Sequence, residues 1–386
     1  RAVAGGQRTK GEQAGHSQVQ IWRDWQQVDE AGLARTRAMA APDGRPLDVL
    51  PAEPSRLRFR AYETDTGHAL DRVALVMPTS LCSGQIARII AEGLEARLPE
   101  DAPVTRYVSL VHTEGCGSTN TNDIFLRTLL GHLRHPSVKA GLLLEHGCEK
   151  THNDMVRAYL GDHGTDATEF GWASIQLDGG LQGVGTKVAG WFADRLAELR
   201  PVPRVQAGAE ALHLALVAEG ELPDRAAEVL AMLTAGVVAA GGTVVVPSSG
   251  PLARSAAFRG TLLHPDGTWR TTLEYGRAFA RPGLHIMDAP TTHATETITG
   301  LGATGAQLVV AHVEGAPVLA HPMVPTLHIS STRSGANVDL ALPAGERQVA
   351  VAELERLIEA VASGDYVPRL ADIGLTDFQL TRGRLG

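Results

Sequence analysis

Three cysteines occupy the same kind of position in this chain. Cys82, Cys116 and Cys148 each follow, by a few residues, an apolar run typical of a buried strand, and each precedes a helical pattern. In an open parallel sheet, the loops after the carboxyl ends of the strands lie along one edge. We therefore expect the three thiols to converge there, near helix N-termini that favour their thiolate forms.

Three thiolates without a fourth suit a metal ion or an iron–sulfur cluster that keeps one open coordination position. An open position lets a Lewis acid bind a substrate oxygen and make a hydroxyl a better leaving group. Two other roles remain open. The cysteines could be small apolar filler residues, or Cys116 could be a nucleophile activated by His112.

Acidic and histidine side chains flank two of these cysteines. His112 and Glu114 lie in the loop of the second cysteine, and Glu149 and His152 follow the third. Abstraction of a proton α to a carboxylate requires a base beside the metal, so these four residues are the candidate catalytic groups. Structural roles compete with this one: His112 could tie its loop together, Glu114 could be a solvated acid, and Glu149 could stabilise a helix terminus.

Polar residues at the same predicted edge are candidate substrate ligands. Ser118, Thr119 and Asn120 precede a helix, where hydroxyl and backbone N–H groups either bind a carboxylate or cap the helix. Gln176, at the end of the fourth predicted strand, and Gly179 and Gly180 after it could line the same edge, although a plain turn explains the glycines equally well. His293 lies at a strand-to-helix turn in the second half of the chain.

The order of strand-like and helix-like patterns predicts the scaffold that positions these residues. Continuous apolar runs predict strands buried on both faces of a parallel sheet, and segments of helical spacing separate them. The runs are RVALVMP (72–78), RYVSLV (106–111), AGLLLE (140–145) and WASIQL (172–177), and the helical segments are 84–98, 122–135, 153–162 and 184–199. This alternation predicts an α/β fold built from two doubly wound units with mainly parallel sheets.

The second unit is predicted from a similar series. Its strands are expected at 243–247, 283–288, 306–312 and 325–330, its helices at 224–240 and 349–364, and a hairpin at HPDGTW (264–269). The segment RPVPR (200–204) marks the boundary. We therefore predict an N-terminal arm over 1–58 with one short helix near 28–40, a first α/β domain over 59–200 that carries the cysteines, and a second over 201–386.

Composition restricts the classes of function. The 386 residues carry a net charge of −8 and no block of lysine and arginine, which argues against nucleic acid or an acidic membrane surface as the main partner. No run approaches the roughly 20 apolar residues of a membrane helix, and the first residues lack the apolar core of a signal peptide. We expect a cytoplasmic protein with reduced thiols that acts on a small molecule.

The segments around the second and third cysteines resemble those of a known family. HTEGCGSTN (112–120), followed by RTLLGHLRHPSVKAGLLLEHGCEK (127–150), is similar to the altronate and galactarate dehydratases, in which His-x-x-Gly-Cys-Gly precedes a leucine-rich helix, His-Pro-Asn-Val, a strand and Gly-Cys-Glu. The resemblance includes SIQLDGG (174–180) and GLHIMDAPTTH (283–293), and it covers roughly residues 57–386.

The resemblance implies a hydro-lyase. Such an enzyme removes water from a sugar-acid-like α-hydroxy carboxylate, giving an enol that becomes a 2-keto acid, and its usual metal is iron, here either Fe2+ or a three-cysteine iron–sulfur cluster. His112 and Glu149 match residues of the family motifs. Sulfolactate sulfo-lyases resemble the same family, so another leaving group is an alternative. Members often work with a separate small domain, so such a subunit, or a homo-oligomer, is an expected partner.

Three segments depart from the family pattern. QAGAEALH (206–213) stands where the family has Cys-Gly-Gly-Ser-Asp, Met323 stands at or near a family cysteine, and GHALDR (67–72) replaces Gly-Thr-Arg-Asn. His321, beside that lost cysteine, could replace it as a ligand. Because these changes concern the predicted substrate pocket, a diverged, non-catalytic binding or assembly subunit is the alternative to an active lyase.

Overall fold

Four runs of buried apolar residues form the first sheet of the protein. The structure is a computed structural model and describes residues 42–115, 123–315, 318–332 and 337–382. The strands are β3 (Val73–Pro78), β4 (Arg106–Ser109), β5 (Val138–Glu145) and β6 (Gly171–Ser174). They pair in the order β4-β3-β5-β6, and every pair is parallel. β3 is buried along its whole length, as expected for a strand that is covered on both faces.

Helices cover both faces of this sheet. They are α1 (Leu81–Glu95), α2 (Asp123–Leu133), α3 (Asn153–Asp162) and α4 (Gly180–Glu198). Buried side chains of α1 and α4, such as Ala87 and Phe192, pack on one face, and those of α2 and α3, such as Leu129 and Leu160, pack on the other. The predicted doubly wound α/β arrangement is confirmed for this unit.

The second sheet has six parallel strands in the order β10-β9-β8-β11-β12-β13. This is the strand order of doubly wound nucleotide-binding folds. The strands are β8 (His213–Glu219), β9 (Thr243–Pro247), β10 (Gly283–Met287), β11 (Leu308–Val313), β12 (Thr326–Ser330) and β13 (Leu340–Ala341). The helices are α5 (Asp224–Ala239), α6 (Pro251–Arg254), α7 (Ala256–Leu262), α8 (Ala294–Ala303), α9 (Arg347–Ser363) and α10 (Arg369–Asp372).

A small antiparallel sheet connects the start of the chain to the second half. β1 (Arg58–Thr64) pairs with β2 (Gly67–Ala69) on one side and with β7 (Val205–Gly208) on the other. Leu47, which lies in the predicted arm, forms a bridge with Leu284 of β10. The described end of the arm therefore contacts the edge strand β10 of the second sheet.

One apolar cluster is shared by the two large sheets. Met77 and Leu129, from the first sheet and its helix α2, belong to the same buried cluster as Val217 and Leu301, from the second sheet and α8. The part of the chain from Gly44 to Gly383 forms one compact unit. Of the residues before Gly44, only Pro42 and Asp43 are described. The boundary at residue 200 therefore separates two sheets that share a core.

Several local features differ from the prediction, among them the turn at 264–269 and the strand β8. The segment 264–269 contains a turn but follows α7, and within the described ranges no strand flanks it, so the predicted hairpin does not form. β8, at the centre of the second sheet, was not predicted. The helix predicted near 28–40 lies outside the described residues. None of the described helices combines the length and the apolar character that crossing a membrane requires.

Candidate functional site

The strand order of the first sheet creates a crevice between β3 and β5. From β3 the chain passes through α1 to β4 on one side, whereas β5 lies on the other side of β3 and leads through α3 to β6. The loops after β3 and β5 therefore leave neighbouring strands toward opposite faces of the sheet. Ligands of open α/β sheets bind in such a crevice, at the carboxyl ends of the strands.

Glu149 ties these two loops together. Its Oε1 accepts hydrogen bonds from the hydroxyl groups of Thr79 (2.9 Å) and Ser80 (3.0 Å) in the loop after β3. Within its own loop, Oε1 accepts from the N–H of His146 (2.7 Å), and Oε2 accepts from the N–H groups of Gly147 (2.6 Å) and Cys148 (3.0 Å). A carboxylate has about four lone-pair positions, so these five bonds saturate it.

The electrostatics of Glu149 agree with this role. Burial alone would raise the pKa of its carboxyl group, but the hydrogen bonds from the backbone and from Thr79 outweigh burial and lower it. The group is therefore ionised at neutral pH. Glu149 was predicted as a catalytic acid or base, and its geometry fits the positioning of the loops instead.

His112 closes the loop after β4 onto the loop after β3. Its Nε2 donates to the carbonyl oxygen of Pro78 (2.9 Å), and its Nδ1 accepts from the N–H of Glu114 (3.2 Å), an assignment that follows from the two partners. Because the ring is fully buried, its pKa falls to about 4. The imidazole is neutral at pH 7 with both nitrogens engaged, which is the geometry of the loop-tying role.

Two further contacts hold the same loop. The carbonyl oxygen of Glu114 accepts from the N–H of Leu81 (2.7 Å), and its Oε2 forms an ion pair with Nε of Arg382 (2.9 Å) near the end of the chain. Gly115 has a φ of 97°, and a Cβ atom there would lie 2.6 Å from the carbonyl oxygen of Thr79. Only glycine allows this close approach of the two loops.

Three thiols are predicted at this edge. Cys82 is the second residue of α1 and is exposed, and Cys148 is exposed in the loop after β5. Cys116 lies outside the described residues, directly after Gly115. The loops that carry Cys82 and Cys148 are therefore joined, and the loop that leads into Cys116 is closed onto them.

His146 is a site residue that was not predicted from the sequence. Its Nδ1 lies 3.2 Å from Sγ of Cys148 and 3.5 Å from Nε2 of Gln176. Ligand atoms of His146, Cys148 and Glu149 lie within 4.8 Å of one another, and these three residues form the one such group found in the described ranges. The sequence signal was a histidine two residues before a cysteine, at the end of a buried strand.

The donor set can be compared with what iron requires. Because the oxygens of Glu149 are saturated, Nδ1 of His146 and Sγ of Cys148 are the two donors of this group that remain for a metal. Imidazole and thiolate ligands suit iron and zinc, and both side chains lie at the solvent side of the crevice. The residues present therefore fit a thiolate-bound transition metal, with Cys148 as one ligand.

The other two predicted residues of this edge have different surroundings. His152 is exposed at the N-terminus of α3, where its Nδ1 accepts from the N–H of Met155 (3.3 Å) and caps the helix. Gln176 is exposed, and its N–H donates to the carbonyl oxygen of His146 (3.1 Å), so it belongs to the group around Cys148.

The remaining predicted substrate ligands do not join this group in the described structure. Ser118, Thr119 and Asn120 lie outside the described residues. His293 is exposed at the start of α8, at the carboxyl edge of the second sheet. It lies near Glu219, whose carboxyl pKa is raised by burial, an effect that His293 and Arg254 partly offset.

His321, considered as a replacement for a lost thiolate, is engaged in the core. Its Nδ1 accepts from the N–H groups of Met323 and Val324 (both 3.0 Å), and its Nε2 lies 3.2 Å from Nε2 of His132. The other nitrogen of His132 donates to the carbonyl oxygen of Thr128 (2.8 Å). Both rings are buried and neutral, so His321 has no nitrogen left for a metal.

Comparison with known proteins bears on the same part of the chain. Residues 72–190 match the family model described as D-galactarate dehydratase/altronate hydrolase, second domain. The matched range runs from the start of β3 into α4 and includes the three loops of the crevice and all three cysteines. The search of curated proteins finds no match to the chain.

Proposed function

Because residues 72–190 belong to the D-galactarate dehydratase/altronate hydrolase family, through its second domain, we propose that this protein is a metal-dependent hydro-lyase. Its substrate would be a sugar-acid-like α-hydroxy carboxylate. The reaction removes a proton from the carbon next to the carboxylate and hydroxide from the following carbon. The resulting enol rearranges to a 2-keto acid.

The observation that carries this proposal is the junction of the three loops. Glu149 bonds Thr79 and Ser80, and His112 bonds Pro78, so the loops that carry or lead into the cysteines are fixed to one another at the crevice. Hydrogen bonds that hold a loop in one geometry preorganise the ligands that it carries. A carboxylate used only to cap a helix would not need partners in a second loop.

Cys82, Cys116 and Cys148 are the proposed ligands of iron. When bound, the metal supplies a Lewis acid for the substrate oxygens, an effect worth several kcal/mol of charge stabilisation. The exposure of Cys82 and Cys148 leaves the solvent side of the crevice accessible to a substrate. Gln176, beside Cys148, would donate a hydrogen bond to a substrate oxygen, and Ser118, Thr119 and Asn120 remain proposed ligands of its carboxylate.

Proton transfer is assigned from the hydrogen bonds of the predicted acids and bases. His112 and Glu149 have no position left for a substrate proton, so we assign them to positioning. In His152, the bond from Met155 to Nδ1 places the ring proton on Nε2, which has no hydrogen-bond partner among the described residues and faces solvent. We assign to His152 the delivery of a proton to the leaving hydroxide, and to the carboxylate of Glu114, whose Oε2 pairs with Arg382, the acceptance of the α proton.

A product assay tests the proposed reaction. The full chain, loaded anaerobically with Fe2+, is incubated with a panel of aldarates, aldonates and sulfolactate, and 2-keto acid is measured. We expect product from at least one hydroxy acid and none from the Cys148→Ser variant. An iron-loaded protein that forms no product from any of them would contradict the lyase and favour a non-catalytic subunit, to which the buried, fully bonded His321 already lends support.

A further inference from the structure

The loop after β5 brings an imidazole and a thiol side by side. His146 and Cys148 are separated only by Gly147, whose φ of 115° turns the backbone so that both side chains lie on one side. The side chain of Gln176 occupies the space beside Gly147, where a Cβ atom would come within 3.0 Å of it. The pairing of His146 with Cys148 is therefore built into the backbone of the loop.

The separation of the two donor atoms fits ligands of one ion. A first-row metal binds a thiolate sulfur at about 2.3 Å and an imidazole nitrogen at about 2.0 Å, which places them about 3.5 Å apart in a tetrahedral site. Nδ1 of His146 and Sγ of Cys148 are 3.2 Å apart. A small rotation of either side chain would bring the two atoms from the observed separation to the separation expected for ligands of one ion.

The same distance does not suit a four-iron cubane cluster. In a four-iron cluster held by three cysteines, each cysteine binds its own iron atom, and bridging sulfides fill the other positions of that atom. An imidazole nitrogen at 3.2 Å from the ligating sulfur would then have no iron position to bind. Glu149 offers no alternative oxygen, because five donors saturate its carboxylate.

We propose that His146 is a metal ligand alongside Cys148, and that the inorganic centre is a single ion with mixed nitrogen and sulfur ligands. This inference rests on the proposed function, since it takes Cys148 as a metal ligand. It goes further because it adds a ligand outside the three cysteines and argues against a four-iron cluster; iron accepts more than four ligands, so a position for a substrate oxygen remains beside these four. Gln176, at 3.5 Å from Nδ1 of His146, then lies beside the metal ligands.

Cobalt(II) is the probe for this site, since its spectrum reports both thiolate ligation and coordination geometry. The reduced full chain is titrated with Co2+ under anaerobic conditions, as the wild type and as His146→Gln. We expect one Co2+ per wild-type chain, with a thiolate-to-cobalt charge-transfer band. Loss of an outer-shell partner alone costs about 10–100-fold in metal affinity, so His146→Gln should bind at least about tenfold more weakly, with shifted d–d bands.

The matched control is His264→Gln, which replaces an exposed histidine in the segment after α7. It should bind Co2+ as the wild type does. Wild-type affinity and an unchanged spectrum in His146→Gln would overturn the inference while leaving the thiolate site intact. Acid-labile sulfide after reconstitution with iron and sulfide would overturn the single ion and leave the lyase standing. If the wild type shows no charge-transfer band, both the proposed thiolate site and this inference are contradicted.

Discussion

The carboxylate of Glu149 accepts a 2.9 Å hydrogen bond from the hydroxyl group of Thr79, 70 positions earlier in the chain. This bond crosses the crevice between β3 and β5, where the family resemblance and the strand order both predict a site. The same carboxylate binds the backbone of the loop that carries Cys148. The conformation of the proposed metal loop therefore depends on an acid that itself need not touch the metal.

Replacing Glu149 should loosen both loops. In Glu149→Gln an amide NH2 group faces backbone N–H groups, so bonds to a charged acceptor are lost, each worth about 1.5–3 kcal/mol. We expect the free energy of unfolding, measured with urea, to fall by about 1.5–3 kcal/mol in total. Co2+ binding should also weaken. Glu100→Gln, at an exposed acid, is the control. Unchanged metal binding in a destabilised Glu149→Gln protein would show that the loops are not coupled.

Gly115→Ala tests the close approach of the loops after β3 and β4. The new Cβ atom would lie 2.6 Å from the carbonyl oxygen of Thr79, so the loop must move and carry Cys116 with it. Gly164→Ala is a matched control, because Gly164 also has a positive φ, of 67°, but nothing within 4 Å of the new atom. Both variants should lose about 1–3 kcal/mol through backbone strain. Only Gly115→Ala should lose metal affinity, and equal losses in both would contradict the packing argument.

His112→Gln separates the two roles considered for this histidine. The glutamine amide can still donate to the carbonyl oxygen of Pro78, whereas it cannot exchange a proton near neutral pH. If His112 only ties the loop, 2-keto acid formation should stay within about tenfold of the wild type. Loss of a general acid or base lowers the rate by about 100- to 10,000-fold, so a loss of that size would instead identify a catalytic histidine.

Buried histidines should make stability depend on pH. Burial lowers the pKa of His132 to about 3 and the pKa values of His135 and His213 to about 4. In the unfolded chain histidine titrates near about 6.5, so below that pH the unfolded state binds more protons than the folded state. The stabilisation is complete above about pH 6.5 and is lost as the pH falls toward about 4.

The pH dependence is measured by urea unfolding at several pH values between about 7 and about 4.5. Each buried histidine contributes up to about 1.4 kcal/mol per pH unit to the slope. His135→Gln retains a donor for the carbonyl oxygen of Ala306, which Nε2 of His135 contacts at 3.0 Å. Because it removes one buried histidine, it should lower the slope by up to about 1.4 kcal/mol per pH unit. A slope that is identical in the variant would contradict the assignment of His135 as a buried neutral ring.

Local patterns predict the first sheet well, and long-range pairing explains what they miss. The run AGLLLE (140–145) lies within β5 because a strand buried on both faces needs a continuous apolar sequence. β8 is equally buried but was missed, although its run HLALVAE has the same character. The order of six strands in the second sheet depends on contacts between distant segments, which no local pattern encodes. The Asp266-Gly267 pair predicted a hairpin, but the turn follows a helix instead.

In the candidate site, too, some features follow from local sequence and others depend on contacts between distant segments. The meeting of the loops after β3, β4 and β5 follows from the rule that parallel strands share a carboxyl edge. The use of the Glu149 carboxylate could not be predicted, because its partners in the loop after β3 become neighbours only in the folded sheet. His146 had a local signal in its spacing from Cys148, but only the positive φ of Gly147 turns the two side chains together.

The central claim is that thiolates at this crevice hold a Lewis-acidic metal. The most direct measurement is the iron content and the near-UV and visible absorption of the full chain purified without oxygen, compared with Cys148→Ser. We predict bound iron and a thiolate-to-iron absorption band that weakens or disappears in the variant. Protein that contains no metal and shows no such band, even after anaerobic incubation with Fe2+, would contradict the account.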